Sequence, residues 1–245
     1  MSETEQQIFE TYAKDYLPVF NRYKIVLDHG DGVYVWDAAG KKYLDFLGGI
    51  AVNVLGYNYP QLVEAIASQA ARIIHASNLY YTKPQADAAE KLAALSGLGK
   101  VFFCNSGAEA NEGAIKIARK YACQIHPEKS QILTAWDSFH GRTLATLTAT
   151  GQPKYHEGLG PLPAGFDYIR YNDIADLEAK ISDQTAAVML ETIQGEGGVY
   201  PPEDNYLQKV RALCDQHGAL LILDEIQAGI GRAGTFFAYE KYGIK

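Results

Sequence analysis

Five short runs, Val101–Cys104, Gln131–Trp136, Phe166–Arg170, Ala186–Leu190 and Leu220–Leu223, constrain the fold more than anything else in the sequence. Each is brief and apolar on both alternating faces, the mark of a strand covered on both sides. Stretches of helical period near 107–122, 173–181 and 203–217 separate them. That alternation predicts an α/β fold, a mostly parallel sheet covered by helices. Ligands of an open parallel sheet bind beyond the carboxyl ends of its strands, so the residues following each run are the place to look for a site.

The chain before about residue 55 reads differently. Ile25–Leu27, Val33–Trp36 and Lys42–Phe46 are short strand patterns broken by the turns His29-Gly30-Asp31-Gly32 and Ala39-Gly40-Lys41, which predicts a small N-terminal β meander. We therefore expect an N-terminal segment over 1–55 and a large domain over 56–245. From Pro60, Leu62, Ile66, Ala70 and Ile73 recur at helical spacing, and a second amphipathic helix is expected over Pro84–Leu95.

Composition narrows the function. The 245 residues are 47% apolar, enough to bury a substantial core, and the net charge of −7 argues against a nucleic-acid backbone binder. Cys104, Cys123 and Cys214 show no C-x-x-C spacing and read as reduced, buried thiols of a cytosolic protein. The polar N-terminus and the short apolar runs predict neither a signal peptide nor a membrane span. His29, His75, His126, His140, His156 and His217 form no H-x-x-x-H pair, so no metal is expected.

Three strand ends carry the chemistry. After Cys104 comes Asn105-Ser106-Gly107-Ala108-Glu109, where Ser106 and Glu109 read as a capping box. Gly107 and Ala108 leave backbone N–H groups open to an anion such as phosphate. An ordinary capped helix has the same local sequence. After Trp136 comes Ser138-Phe139-His140-Gly141-Arg142-Thr143, which offers a ring to stack on a flat heterocycle and a guanidinium for a carboxylate. His140 reads as a packing or hydrogen-bonding residue.

The third strand end is Asp224-Glu225-Ile226-Gln227, placed directly after Ala219–Leu223. A carboxylate there needs a cationic partner, and a protonated pyridine nitrogen is one. A helix cap or a buried arginine pair would also account for Asp224. A further pattern, Gly229-Ile230-Gly231-Arg232-Ala233-Gly234, matches the dinucleotide fingerprint, but it does not open at a strand end and no ribose-binding acid follows at the required spacing.

Taken together these segments resemble the class III (fold type I) aminotransferases, and within them the acetylornithine aminotransferase branch. The resemblance also runs through Leu47–Asn53, His75–Tyr81, the 138–153 stretch and Gln194-Gly195-Glu196-Gly197-Gly198. It implies the cofactor pyridoxal 5'-phosphate (PLP): Gly107 and Ala108 on its phosphate, Phe139 on its ring, Asp224 on its nitrogen, and Gln227 on its phenolic oxygen, with Glu225 and Ile226 in the same lining. Arg142 and Glu196 are the implied substrate contacts. Implied as well are an amino donor, a 2-oxo acid acceptor, a place in arginine biosynthesis, a cytoplasmic location and a homodimer. Tyr57, Tyr59, Thr192 and Ala228 depart from the family's usual residues.

The resemblance places the lysine that holds the cofactor beyond Lys245. On that ground the 245 residues alone are expected to bind PLP weakly and without turnover. The rivals are a non-catalytic regulatory chain and one half of a split enzyme completed by a C-terminal polypeptide. Ornithine, succinylornithine and 4-aminobutyrate are the alternative donors.

Overall fold

The computed structural model describes residues 3–203 and 205–244. They form two compact units, one running to Thr82 and the other starting at Lys83.

The first unit opens with α1 (Glu3–Asp15) and continues into an antiparallel meander of β1 (Leu27–Asp31), β2 (Tyr34–Asp37) and β3 (Lys42–Leu44). Asp37 builds the second turn: its carboxylate accepts the Ala39 and Lys41 amides at 3.0 and 2.8 Å and the Tyr43 hydroxyl at 2.7 Å. A one-turn α2 (Gly48–Ala51) and α3 (Pro60–Ala70) follow. The packing divides further along the chain than the boundary at 55/56 that the sequence suggested. Tyr57 explains part of this, because its backbone pairs with Gly32 in both directions and its hydroxyl donates to Asp45 at 2.7 Å, which returns the chain to the meander.

The second unit holds α4 (Lys83–Ser96), α5 (Gly107–Ile125), β4 (Gln131–Ala135), α6 (Leu144–Ala149), β5 (Phe166–Ile169), α7 (Ile174–Lys180), β6 (Thr185–Glu191), α8 (Tyr206–Gln216) and β7 (Leu220–Asp224). The four strands make one parallel sheet in the order β5-β4-β6-β7. Alternation along each strand sorts the core into two layers. Ile132, Ala187, Met189, Leu220 and Ile222 pack with Ile115, Ala118 and Ala122 of α5. Leu133, Val188, Leu190 and Leu223 pack with Leu177 of α7 and with Leu207, Val210 and Cys214 of α8 on the other face. The parallel α/β expectation holds.

Two expectations fail here. Val101–Cys104 is not a strand: no described residue pairs with it, and Phe102 and Phe103 are exposed. An apolar run alone does not make a strand, which needs a neighbour for its amides and carbonyls. The cysteines are not uniformly buried either. Cys104 lies on that unpaired segment, Cys123 lies off the buried stripe of α5, and both are exposed, whereas Cys214 is buried and its thiol is pushed up to about 12 by burial. Among the described residues no helix is long and apolar enough to cross a membrane.

The α5 stripe provides a matched test of this layering. Ile115 is 2% exposed and Ile117 is 63% exposed on the same helix. Ile115→Ala is expected to lower the unfolding free energy by about 3 kcal/mol and Ile117→Ala by no more than about 0.5 kcal/mol. Urea unfolding measures both, and equal losses would mean that α5 does not face the sheet as described.

Candidate active site

Strand register decides which side chains meet. Glu191 and Asp224 are paired positions at the carboxyl ends of β6 and β7, and alternation turns both toward the α5 face. The amino end of α5 lies on that same side. Ser106, in extended conformation, accepts the Glu109 amide at 3.2 Å as the N-cap. The return arm of the expected capping box lands one residue early, on the Asn105 amide rather than on that of Ser106. The first-turn amides of Gly107 and Ala108 have no intrahelical acceptor, and the 19-residue helix aims its positive end at them.

Glycines mark where the loops close on one another. A Cβ on Gly107 would lie 2.8 Å from Ile226 Cγ2, so the helix start packs against the segment after β7. A Cβ on Gly141 would lie 2.8 Å from that of Ala108, so the loop after β4 packs against the same helix start. A Cβ on Gly195 would overlap the Gln227 carboxamide, which brings the glycine-rich loop after β6 to the same place. The three expected strand-end segments therefore converge with a fourth.

Asp224 is the electrostatic centre, with its side chain only 4% exposed. His140 Nδ1–H donates to Asp224 Oδ2 at 2.8 Å; a carboxylate can only accept, so this nitrogen carries the hydrogen. The Asn111 carboxamide donates to the same oxygen at 2.7 Å and also to the His140 carbonyl at 2.8 Å. Asp224 Oδ1 accepts the Ile226 amide at 3.0 Å and keeps a lone pair in hand. Among the described residues, the partners of Asp224 are His140, Asn111 and the Ile226 amide, neither a helix start nor an arginine.

The loop carrying Phe139 is clamped from behind. The His140 amide donates to Thr150 Oγ1 at 2.9 Å, the Gly151 amide to Ser138 Oγ at 3.0 Å, and the Gln152 carboxamide to the Ser138 carbonyl at 2.9 Å. Arg142 is exposed, with its guanidinium 4.1 Å above the Tyr155 ring and 5.6 Å from the Phe139 ring. Among the described residues no carboxylate pairs with it. Glu196 is exposed beside Gly195. Glu225 turns elsewhere: its carboxylate accepts the Thr192 hydroxyl and the Ala238 and Tyr239 amides, bracing the chain after β7.

Sequence reading missed Asn111 and Glu191. Asn111 is the lone polar member of the buried α5 stripe with Ile115, Ala118 and Ala122, and that placement was its signal. Glu191 ends an apolar strand just as Asp224 does. It is 6% exposed, its carboxylate accepts the Phe139 amide at 3.0 Å and the Gly195 amide at 3.2 Å, and burial pushes it up to about 7. Its amide donors and His140 pull it down, while Asp224 adds to the rise.

Comparison with known proteins gives a consistent set. A family profile described as "Aminotransferase class-III" matches residues 16–245. The acetylornithine aminotransferase of Methanocaldococcus jannaschii is 53% identical over 243 residues, covering 99% of this chain and 61% of that protein. That of Caldanaerobacter subterraneus subsp. tengcongensis is 55% identical over 236 residues, covering 96% and 60%. The chain thus spans about three fifths of the length of these relatives. Among solved structures, the ornithine aminotransferase of Toxoplasma gondii aligns at TM-score 0.94 and 32% identity, covering 99% of this chain and 58% of that one. The N-acetylornithine aminotransferase of Stenotrophomonas maltophilia aligns at 0.80 and 43%, covering 97% and 58%.

The Asn111 bridge yields a prediction. Asn111→Ala leaves Asp224 Oδ2 and the His140 carbonyl each one donor short in a buried place, and is expected to destabilise the fold by about 2 kcal/mol. Denaturant unfolding at pH 8 checks it; a change under about 0.5 kcal/mol would show that the bridge is not formed in solution.

Proposed function

The chain belongs to the class-III aminotransferases, a family that works with PLP, and on that premise we propose that it builds the cofactor seat of an enzyme transferring the terminal amino group of N-acetylornithine to 2-oxoglutarate. The observation carrying this reading is the buried Asp224 carboxylate, held by His140 and Asn111 with a lone pair still open, beside the free amino end of α5.

The residues fit the cofactor. A phosphate needs unpaired amides at a positive helix end, which Gly107 and Ala108 supply. A pyridinium needs a desolvated anion with an accepting lone pair, which Asp224 supplies. A flat ring needs an apolar face, which Phe139 supplies from a loop fixed on two sides. When bound, PLP supplies an electron sink for a carbanion on the substrate.

The chain's own work is to bind, orient and hold charge. Asp224 keeps a proton on the ring nitrogen, and His140 and Asn111 keep Asp224 from rotating. Gln227, held against Gly195, is assigned to the phenolic oxygen, with Ile226 lining the helix start. Glu225 is assigned to shaping this lining through its hold on Ala238 and Tyr239. Arg142, with no carboxylate partner among the described residues and resting on Tyr155, is assigned to the substrate α-carboxylate, and Glu196 to the neighbourhood of that carboxylate. The same reading implies arginine biosynthesis as the setting, and a homodimer as the assembly.

Turnover with N-acetylornithine, 2-oxoglutarate and PLP tests the proposal in the whole protein. Asp224→Asn keeps the shape and removes the charge, and is expected to lower kcat/KM at least about 100-fold. Arg142→Ala is expected to raise KM for N-acetylornithine roughly 10- to 100-fold with kcat changed far less. Higher kcat/KM on ornithine, succinylornithine or 4-aminobutyrate would move the donor assignment, and wild-type turnover unaffected by Asp224→Asn would remove the site assignment.

A further inference from the structure

We propose that Glu191 is a positioning residue that fastens the loop of Phe139 to the glycine-rich loop of Gly195 and Glu196, so that the ring-stacking face and the substrate end of the site are held as one piece. The inference deepens the PLP reading and rests on it for what the two loops do.

The geometry carries it. The two loops follow different strands, β4 and β6, and are 52 residues apart at Phe139 and Glu191. One oxygen of the Glu191 carboxylate takes the Phe139 amide and the other takes the Gly195 amide, at 3.0 and 3.2 Å. A carboxyl group that ends an apolar strand at 6% exposure is costly to bury, and two amide donors are what offset that cost. Only an ionised glutamate serves both amides at this reach: glutamine offers one acceptor and sets an NH2 against the second amide, while aspartate is one carbon shorter. No contact assigned above to the cofactor or substrate involves Glu191, so its two bonds are explained by placement.

The clamp has a charge state. Burial pushes the Glu191 carboxyl up to about 7, and the ionisable groups facing it are Asp224 on β7, His140 after β4 and Tyr171 after β5, whose hydroxyl donates to the Glu191 carbonyl. Tyr171 is raised far above neutrality by burial and stays protonated there. The sign follows from a raised acid: the protonated form is favoured below about pH 7, and the form that grips both amides is fully present only above it.

NMR of the cofactor-free protein reads the clamp directly. The amide protons of Phe139 and Gly195 are expected to move downfield together as pH rises, with one midpoint near 7, while the His140 ring carbons, followed in the same samples, report that residue separately. In Glu191→Gln the shared titration is expected to vanish. The same variant is expected to bind PLP about tenfold more weakly than wild type at pH 8, and the ratio of the two dissociation constants to approach one at pH 6, where PLP's own ionisation cancels. Amides that titrate independently, or that still titrate in Glu191→Gln, overturn the inference, as does unchanged PLP affinity of the variant at pH 8. The wild-type titration decides the clamp even if the variant does not fold. A wild type that titrates as described but does not bind PLP would instead sink the cofactor reading.

Discussion

A carboxylate at the end of an apolar strand has to be met by donors or it does not stay, and the second unit is arranged around meeting one. Asp224 receives His140 from the loop after β4, Asn111 from the first turns of α5 and the Ile226 amide from its own loop. Three segments are thereby drawn to one point. The helix start that offers Gly107 and Ala108 is held within reach because Asn111, four residues on from Gly107, spans to both Asp224 and the His140 carbonyl. His140 Nε2 is buried with no partner among the described residues, so its position is set from the Nδ1 side and by its backbone.

Parallel register sets a second acidic residue next to Asp224. Glu191 stands beside Asp224 across β6 and β7 on the same face. The Asp224 charge adds to the rise that burial imposes on the Glu191 carboxyl. The structure separates their duties by partner: Asp224 has side-chain donors, and Glu191 has two backbone amides. Their loops are nevertheless the same loops, because Phe139 is bound by Glu191 through its amide and His140 is bound by Asp224 through its ring. Adjacent strands hold adjacent residues of one segment, which fixes the plane of Phe139 more firmly than either bond alone.

How much of this was legible follows from the distance over which each feature is determined. The strands β4 to β7 could be read because a run apolar on both faces is a local signature, and the turn at Ser106 because a cap and its helix are neighbours in sequence. Val101–Cys104 carried the same signature and misled, since pairing depends on a partner elsewhere. The bridge from Asn111 to Asp224 spans 113 positions and that from His140 to Asp224 spans 84, so neither identity nor spacing announces it. Thr192 and Tyr57 stood out in the sequence only as departures from the family's habit. In the fold, Thr192 donates to the Glu225 carboxylate and Tyr57 closes onto Asp45 and Gly32.

The proposed contacts divide by burial in a way that bears on specificity. Asp224, His140 and Glu191, which would seat the cofactor or support its seat, are buried and held by two or more bonds. Arg142 and Glu196, which would meet the substrate, are exposed, and among the described residues Arg142 rests against rings, beside Thr143, whose hydroxyl donates to Glu112 at 2.6 Å. Changing a buried, doubly bonded group disturbs several others, whereas changing an exposed one disturbs little. A seat built this way stays constant while its rim is free to vary, so the residues that identify the cofactor are poor witnesses to the amino donor. On the proposed reading, donor choice falls to the rim, to Arg142 and Glu196, rather than to the seat.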